Sequence, residues 1–297
     1  MGDMAQTDSW TVGRLLEWTT SYLAPRGADS PRLDAELLLA AARGCQRIDL
    51  YTTFSEVVSD PVRAAFRELI RRRAEGTPVA YLLGKREFFS LPFRVTPDVL
   101  IPRPETEFLV IALLDHAAQA SAGDRALRIA DVGTGSGIIA VCAARQLPKA
   151  QITALDISPA ALAIAAENAT THGVFGQIEF LTGDLFDDVA TQPPFDFIVS
   201  NPPYITTGEF EQLAPDVAQF EPRIALVAGD QGTEVFERLI PQSAARLAPG
   251  GWLLMETSPM LEPAVVKLLS SEPRLTVAPT MKDLAGHPRI VQAQRID

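Results

Sequence analysis

The sequence is poor in the residues that build metal and disulfide sites, with two cysteines and three histidines among 297 residues. Cys45 and Cys142 lie far apart, and neither belongs to a CxxC motif or a Cys/His cluster. This spacing excludes a zinc site and a disulfide framework, so we expect no metal and two small buried thiols. The histidines His116, His172 and His287 fall in a predicted helix, a helix end and a loop, which does not indicate a catalytic base.

Basic residues and long apolar runs are also scarce. The chain has 26 Lys and Arg against 37 Asp and Glu, a net charge of −11, which disfavours a protein that binds nucleic acid directly through many phosphate contacts. Its apolar runs are short and interrupted by Arg, Asp or Pro, and the first ten residues lack the basic and apolar regions of a leader peptide. We therefore expect a cytoplasmic protein that does not enter a membrane.

The chain is longer than one compact core usually holds, which predicts two domains. Apolar residues recur at helical spacing up to about residue 75, and Ser30-Pro31 and Asp60-Pro61 are helix start signals. A small helical domain is therefore predicted over 1–76. Residues 79–100 are rich in β-branched and aromatic residues and are punctuated by Gly and Pro, which predicts a β-hairpin linker over 77–100.

Apolar strands and helical runs alternate in the remaining part, 101–297. The predicted strands are ALRIADV, QITALDI, IEFLTGD, FDFIVSN and GWLLMET. Alternation of this kind is typical of an α/β domain with a mostly parallel sheet covered by helices. The tail has two further short strands without a helix between them, which predicts an antiparallel pair that closes the sheet.

A glycine-rich turn, DVGTGSG, follows the first of these strands and leads directly into a helix. This is the geometry of a ligand loop at the carboxyl edge of an open α/β sheet. The spacing is GxGxG and an acid, Asp131, precedes it, which suits a ligand that carries an ammonium group, such as S-adenosylmethionine, better than a pyrophosphate. A purely structural turn is an equally good explanation of the loop taken alone.

Acids also follow the next two strands. Asp156 is placed to accept hydrogen bonds from the two ribose hydroxyls of an adenosine, a role that we favour over helix capping because Ser158-Pro159 already supplies the start signal. Asp184 is a candidate acceptor for the adenine amino group, and Leu185 a candidate contact for the ring. For Asp184 an ordinary acidic turn is an equally good explanation.

The fourth strand runs into NPPY, residues 201–204. An amino group conjugated to a carbonyl or an aromatic ring is a poor nucleophile, and two acceptors can hold its two N–H groups and aim its nitrogen at a methyl group. The Asn201 side-chain oxygen and the Pro202 carbonyl are such acceptors, and Tyr204 offers an aromatic face for a flat group. A Pro-Pro strand stop is the simpler explanation of the tetrapeptide by itself.

Taken together, these motifs resemble the HemK/PrmC family of glutamine N5-methyltransferases. The narrowest mark of this resemblance is IPRPETE, which follows the predicted hairpin at 101–107; DVGTGSG, ALDIS, GDLF, SNPPY, EPRIAL and LAPGGWLLMET extend it over nearly the whole chain. The chain departs from the family pattern after Glu256, where it has Thr257-Ser258-Pro259-Met260, and at GDQGTEVF.

The resemblance implies a class I S-adenosylmethionine methyltransferase, with a Rossmann-like seven-stranded sheet, that modifies the Gly-Gly-Gln motif of class I peptide chain release factors. Arg103, Glu105 and Glu107 would then border the site. The residues implied in cofactor binding are Gly133, Thr134, Gly135, Ser136, Gly137, Asp156, Asp184, Leu185 and Asn201. Those implied in holding the glutamine are Asn201, Pro202, Pro203 and Tyr204, with Asn201, Pro202 and Tyr204 as the catalytic group.

Two other functions are compatible with these motifs. An adenine N6 or guanine N2 methyltransferase would use the same NPPY on a flipped base, although the expected basic groove is missing from the composition. A non-catalytic module that only senses the cofactor is the other alternative, and an intact NPPY disfavours it.

Overall fold

A computed structural model describes residues 9–120, 125–187 and 193–296. The first eight residues, which carry most of the segment tested above for a leader peptide, lie outside this range. The chain forms two compact units. One contains the residues up to Gly84 together with Pro215–Phe220, and the other contains Lys85–Ala214 and the residues from Glu221 onward. No helix among the described residues is long and apolar enough to cross a membrane.

The first unit is helical, as predicted. Its N-terminal part contains the helices α1 (Val12–Leu23), α2 (Pro31–Arg43), α3 (Asp49–Thr52), α4 (Asp60–Ala74) and α5 (Val79–Leu83). Both predicted start signals are confirmed, since Pro31 and Pro61 occupy the first turns of α2 and α4. The apolar faces of these helices meet in one core, whose fully buried members include Leu16, Leu38, Leu39 and Leu50.

The arginine run at the end of α4 points in different directions, because successive helical residues are about 100° apart. Arg71 is exposed and pairs with Glu68 and Glu75 on its own helix, and Arg72 is also exposed. Arg73 is buried, and its Nε donates to Asp34 Oδ2 of α2 at 2.8 Å. One arginine of the run therefore ties two helices of the unit together.

The hairpin predicted over residues 77–100 is wrong in its first part. Val79–Leu83 is a helix that begins after Pro78 and ends at Gly84, which has a left-handed conformation. Its apolar side chains pack on the core of the first unit, and this packing outweighs the strand preference of the β-branched composition. The hairpin is shorter, with β1 (Lys85–Phe88) and β2 (Leu91–Arg94) as its strands, and it belongs to the second unit.

The second unit alternates strands and helices, as predicted. Its next elements are α6 (Glu107–Gln119), β3 (Arg128–Val132), α7 (Ile138–Gln146), β4 (Gln151–Asp156), α8 (Pro159–Thr171), β5 (Ile178–Thr182) and β6 (Phe195–Ser200). After β6 come β7 (Ile205–Thr206), α9 (Thr207–Phe210), α10 (Pro215–Phe220), which clusters with the first unit, and β8 (Val227–Gly229). The chain continues through α11 (Glu234–Arg246), β9 (Leu247–Glu256), α12 (Glu262–Ser271), β10 (Leu275–Lys282) and β11 (Pro288–Arg295).

Among the described residues, seven strands form the main sheet in the order β10-β11-β9-β6-β3-β4-β5. The strands from β9 to β5 pair in parallel, whereas β11 pairs antiparallel with both β9 and β10, so the predicted closing pair is confirmed. Apolar clusters cover both faces of the sheet. The order of the strands reverses beside β3, and such a switch point is where open α/β sheets bind their ligands.

The Arg73–Asp34 pair leads to a prediction about stability. Arg73→Ala leaves the Asp34 carboxylate partly buried without its partner, a loss that typically costs about 3–5 kcal/mol. We expect the first unit to unfold at a lower urea concentration, which tryptophan fluorescence can follow because Trp10 and Trp18 both lie in this unit. The exposed neighbour is the control: Arg72→Ala should shift the free energy of unfolding by less than about 0.5 kcal/mol.

Candidate active site

A cavity of about 290 Å³ lies in the second unit, at the carboxyl ends of the parallel strands. Nine of the twelve residues implied in binding the cofactor or the glutamine line it: Gly133, Thr134, Gly135, Ser136, Asp156, Asp184, Leu185, Asn201 and Pro203. The three others, Gly137, Pro202 and Tyr204, are not among the lining residues. The cavity is also lined by residues that the motifs did not single out for binding, among them Val99, Pro102, Thr106, Ile157 and Arg238.

The glycine loop combines an open side with a closely packed side. Gly135 has a φ of +55°, and a β-carbon there would meet no atom within 4 Å, so the backbone faces free space. Gly137 has a φ of +80°, and a β-carbon there would lie 2.9 Å from Ala165 Cβ of α8. The missing side chains thus keep the cavity open at one end of the loop and let α7 approach α8 at the other.

Asp131, the acid before the loop, is fully buried and is not among the lining residues. Its Oδ2 accepts from the Thr134 hydroxyl at 2.7 Å and from the Ala140 amide at 3.0 Å, so it shapes the turn and holds the start of α7. Burial raises the pKa of Asp131 to about 7. The structure therefore gives this carboxyl a supporting position behind the loop, rather than the direct place beside an ammonium group that the sequence suggested.

Asp156 lies at the end of β4 and lines the cavity. Its two oxygens accept from the amides of Gly135 and Ser158, at 2.8 and 2.9 Å, so the carboxylate is held rigidly against the glycine loop. Burial raises its pKa, while these backbone hydrogen bonds act in the opposite direction. A carboxylate oxygen can accept more than one hydrogen bond, so both oxygens retain acceptor capacity for a ligand.

Asp184 and Leu185 follow β5 and line the same cavity. Asp184 pairs with Arg238 of α11 at 2.8 Å, so its carboxylate has a protein partner as well as a place in the cavity wall. Leu185 has a φ of +56°, a conformation that is rare for a bulky side chain. Its side chain packs against the apolar cluster on one face of the sheet, which holds it in this strained conformation.

The NPPY segment leaves the sheet at the end of β6. Asn201 lines the cavity, and its Nδ2 donates to the Thr106 hydroxyl at 3.2 Å. Pro202 is buried, and Tyr204 packs against the same apolar cluster as Leu185, so burial raises the pKa of its phenol. Tyr204 therefore remains protonated near neutral pH.

The IPRPETE segment is held over this edge of the sheet by the buried carboxylate of Glu221. Glu221 accepts from the Ile101 amide at 3.0 Å and from Arg103 Nη2 at 2.6 Å. Arg103 also lines the cavity, as the resemblance implied, whereas Glu105 and Glu107 are not among the lining residues. Glu107 instead accepts from the Phe89 amide in the hairpin turn at 2.8 Å, which makes it a structural support of that turn.

The described histidines and cysteines lie outside the cavity wall. His116 stacks on Trp252, with ring centroids 3.9 Å apart, and His172 ends α8. Cys142 is buried as predicted, and burial raises its pKa to about 12, whereas Cys45 is only partly buried. The described residues contain no group of histidine, cysteine and acidic side chains that could hold a metal ion.

Comparison with known proteins assigns the chain to a family. Residues 14–84 match the model of the PrmC N-terminal domain, and residues 106–218 match that of the methyltransferase small domain. A release factor glutamine methyltransferase of Rhodopirellula baltica is 48% identical over 295 residues, which is 99% of this chain and 100% of that protein. Another from Geobacter sulfurreducens is 44% identical over 83% of this chain and 84% of its own length.

The chain belongs to the release factor glutamine methyltransferase family. Solved structures support the fold. A 16S rRNA N2 G1207 methyltransferase of Thermus thermophilus matches with a TM-score of 0.51 and 18% identity, over 71% of this chain and 49% of that one. A methyltransferase of Pyrococcus furiosus matches with a TM-score of 0.50 and 16% identity, over 76% of this chain and 96% of that one. The predicted class I methyltransferase fold is thereby confirmed.

Sequence reasoning missed Thr106, Arg238 and Glu256. Thr106 stands inside IPRPETE, but only the charged residues of that segment were predicted to border the site. Arg238 lies in the middle of α11, far from any motif, and only the fold brings it to the cavity. Glu256 was noted only as the point where the family pattern changes, although an acid at the end of a predicted apolar strand is a signal of its own.

The buried Asp131 leads to a prediction about pH dependence. Its pKa is near 7 in the folded chain and about 3.9 in an unfolded one. The protonated carboxyl therefore stabilises the fold at low pH, and this contribution is lost as the pH rises from about 4 to 7. Over this range Asp131 contributes up to about −1.4 kcal/mol per pH unit to the slope of the unfolding free energy, the effect of one proton, and Asp131→Asn should make the slope more positive by that amount. Urea unfolding at several pH values measures the slope, and an unchanged slope would contradict the assignment.

Proposed function

We propose that the protein transfers a methyl group from S-adenosylmethionine to the side-chain amide nitrogen of the glutamine in the Gly-Gly-Gln motif of class I release factors, and that it acts in the cytoplasm. The observation that carries this proposal is the position of Asn201, at the carboxyl end of β6 on the wall of the cavity, in a chain that is 48% identical to a release factor glutamine methyltransferase over nearly its whole length.

The residues of the cavity fit S-adenosylmethionine. Gly135 leaves open space where a side chain would stand, and Asp156 presents oxygens with spare acceptor capacity for ribose hydroxyls. Leu185 offers an apolar surface for a flat ring, and Asp184 a carboxylate beside it. When bound, S-adenosylmethionine supplies a methyl group on a positively charged sulfur that is already activated for displacement.

The contribution of the chain to the transfer is mainly positioning. The Asn201 side-chain oxygen and the Pro202 carbonyl would each accept one N–H of the glutamine amide and so fix the direction of its nitrogen. Correct alignment of two reacting groups can contribute roughly 7–11 kcal/mol to lowering a barrier. Tyr204 is half-buried and neutral, so it contributes an aromatic face rather than a base.

The alternatives receive less support. The guanine N2 methyltransferase that shares the fold is only 18% identical, so it does not extend its substrate to this chain. The relatives that cover nearly the whole chain are named for release factors, and a net charge of −11 opposes binding to a polyanion. Incubation with labelled S-adenosylmethionine, an intact release factor and transfer or ribosomal RNA tests the choice: label on the RNA instead of the release factor would overturn the proposal.

Removal of the acceptor amide should separate chemistry from binding. In Asn201→Ala the glutamine loses one of its two acceptors, so kcat should fall by well over 10-fold, while the dissociation constant of S-adenosylmethionine changes much less. A methyl-transfer assay and calorimetric titration of the same preparation measure the two quantities. Retention of more than about a tenth of kcat, an effect below about 1.4 kcal/mol, would refute the role of Asn201.

Asp156→Ala is the matched comparison, because it also removes one polar side chain from the cavity wall. A hydrogen bond to a charged acceptor contributes about 1.5–3 kcal/mol, so the dissociation constant of S-adenosylmethionine should rise by roughly 10-fold or more. An unchanged constant would show that Asp156 serves only the loop.

The first unit is the proposed recognition domain for the release factor. It has a groove of about 440 Å³, lined by aromatic side chains and by arginines of α4. They are Trp10, which precedes α1, Trp18 and Tyr22 of α1, and Arg63, Arg67 and Arg71. Trp18 is 49% exposed and stacks on Tyr22, with ring centroids 4.9 Å apart. Exposed aromatic rings beside arginines are typical of protein interaction sites.

This proposal predicts different effects on large and small substrates. Trp18→Ala should raise KM for an intact release factor by about 10-fold or more, because exposed tryptophans are frequent hot spots of binding. Activity on a short Gly-Gly-Gln peptide should stay within about 2-fold of the wild type, because such a peptide lacks the part of the release factor that the groove is proposed to bind. Ile48→Ala is the control, since Ile48 is 64% exposed in the same unit and does not line the groove. Equal losses on both substrates would refute the docking role.

A further inference from the structure

Three side chains at the wall of the cavity are linked in a row by hydrogen bonds. Asn201 Nδ2 donates to Thr106 Oγ1 at 3.2 Å, and the Thr106 hydroxyl is hydrogen-bonded to the Glu256 carboxylate. Thr106 is 1% exposed and Glu256 is 2% exposed. Of these three residues, the proposed function uses only Asn201, so Thr106 and Glu256 have no assigned role.

The sheet brings these residues together. Ser200, at the end of β6, is in register with Met255 of the parallel strand β9, so the next residues, Asn201 and Glu256, lie at the same edge of the sheet. Thr106 approaches from the IPRPETE segment, whose path is fixed by the hydrogen bonds of Ile101 and Arg103 to Glu221. Three distant parts of the sequence thus meet at one edge of the sheet.

Donor and acceptor are fixed in each of these hydrogen bonds. A carboxylate can only accept, so the single hydroxyl hydrogen of Thr106 points to Glu256, and Thr106 Oγ1 is left as an acceptor. An acceptor at this place selects the amide nitrogen of Asn201 rather than its oxygen, because only the nitrogen carries hydrogens. The Asn201 oxygen is then turned away from Thr106, as it must be to accept an N–H from a substrate amide.

We propose that Thr106 and Glu256 are positioning residues that hold the Asn201 amide in the orientation required for methyl transfer. The inference rests on the proposed function, since it assumes that the Asn201 oxygen accepts from the target amide. It explains why an acid is buried here: among the described residues Glu256 Oε2 has no hydrogen-bond partner, a costly arrangement for a residue that serves stability alone.

Protonation of Glu256 would release the orientation of the Thr106 hydroxyl, because a carboxylic acid can donate to Thr106 Oγ1. The hydroxyl hydrogen of Thr106 would then be free to turn away from Glu256. Burial raises the pKa of Glu256 to about 7. The charged or titratable groups that act on it are Glu105, which also raises this pKa, Arg289 and Arg103, which lower it, and the neutral phenol of Tyr204. The orientation of Asn201 is therefore expected to weaken as the pH falls through neutrality.

The test uses the full chain with an intact release factor. Thr106→Val keeps the shape of the side chain and removes the hydroxyl, so kcat should fall by about 10-fold, the effect of one lost hydrogen bond. The dissociation constant of S-adenosylmethionine and KM for the release factor should stay within about 2-fold, and Thr106→Ser should restore most of kcat. Thr153→Val makes the same substitution at a buried threonine of β4 outside the cavity wall, and it should leave kcat unchanged.

A second variant keeps the proposal testable if Thr106→Val fails to fold. Glu256→Gln has a side chain that can donate as well as accept and that does not titrate, so its kcat at pH 8 should resemble the reduced kcat of the wild type near pH 6. A wild-type kcat in Glu256→Gln at pH 8 would overturn the proposal. So would a folded Thr106→Val that keeps its kcat, or one that Thr106→Ser does not rescue. If the wild type itself does not methylate the release factor, the proposed function fails instead, and the two failures are thereby distinguished.

Discussion

Parallel pairing along one row of the main sheet decides where the polar groups of the site lie. Leu155, Val132, Ser200 and Met255 stand in register across four neighbouring strands. The residue that follows each of them lies at the same edge of the sheet. Asp156 and Glu256 are the last residues of their strands, and Gly133 and Asn201 come directly after theirs. A shift of one strand by one residue would turn its side chains to the other face and move its polar group out of the row. The apolar clusters on both faces of the sheet oppose such a shift.

Buried carboxyl groups connect this row to the loops around it, and each does so in a different way. Asp131 holds the glycine loop and the start of α7 from behind, whereas Glu221 fixes the path of the IPRPETE segment. Asp156 binds the loop amide of Gly135 while it still faces the cavity. Burial of these acids is costly, and it is tolerated because backbone amides or an arginine satisfy most of their oxygens. Among the described carboxyl groups, Asp131, Glu234 and Glu256 each have one buried oxygen without a hydrogen-bond partner, and Asp131 and Glu256 lie at the site.

Two unusual backbone positions, Leu185 and Gly137, shape the surroundings of the cavity. Leu185 adopts a left-handed conformation although it is neither Gly nor Asn, and its contacts with the core beneath the sheet keep it there. Gly137 allows α7 and α8 to approach more closely than any side chain would permit. Both features concern the backbone, and both position a surface rather than a reacting group. They agree with a site that acts by alignment and has little acid–base machinery of its own.

The sequence by itself determined the order of strands and helices, the closing antiparallel pair, the glycine loop and the acids that follow the strands. These features follow from local rules: the period of apolar residues, the start signals of helices, and the fact that parallel strands end at a common edge. Tertiary structure decided the rest. The helix at Val79–Leu83 forms because its apolar side chains pack on the core of the first unit. The residues of that core are distant in sequence, so a short segment of sequence does not reveal this packing. The hydrogen bond between Asn201 and Thr106 joins residues 95 positions apart, and the fold alone brings them within reach. Burial, which turns Asp131 and Glu256 into groups that titrate near neutral pH, is likewise a property of the packed chain, because desolvation depends on every element that surrounds a carboxyl group.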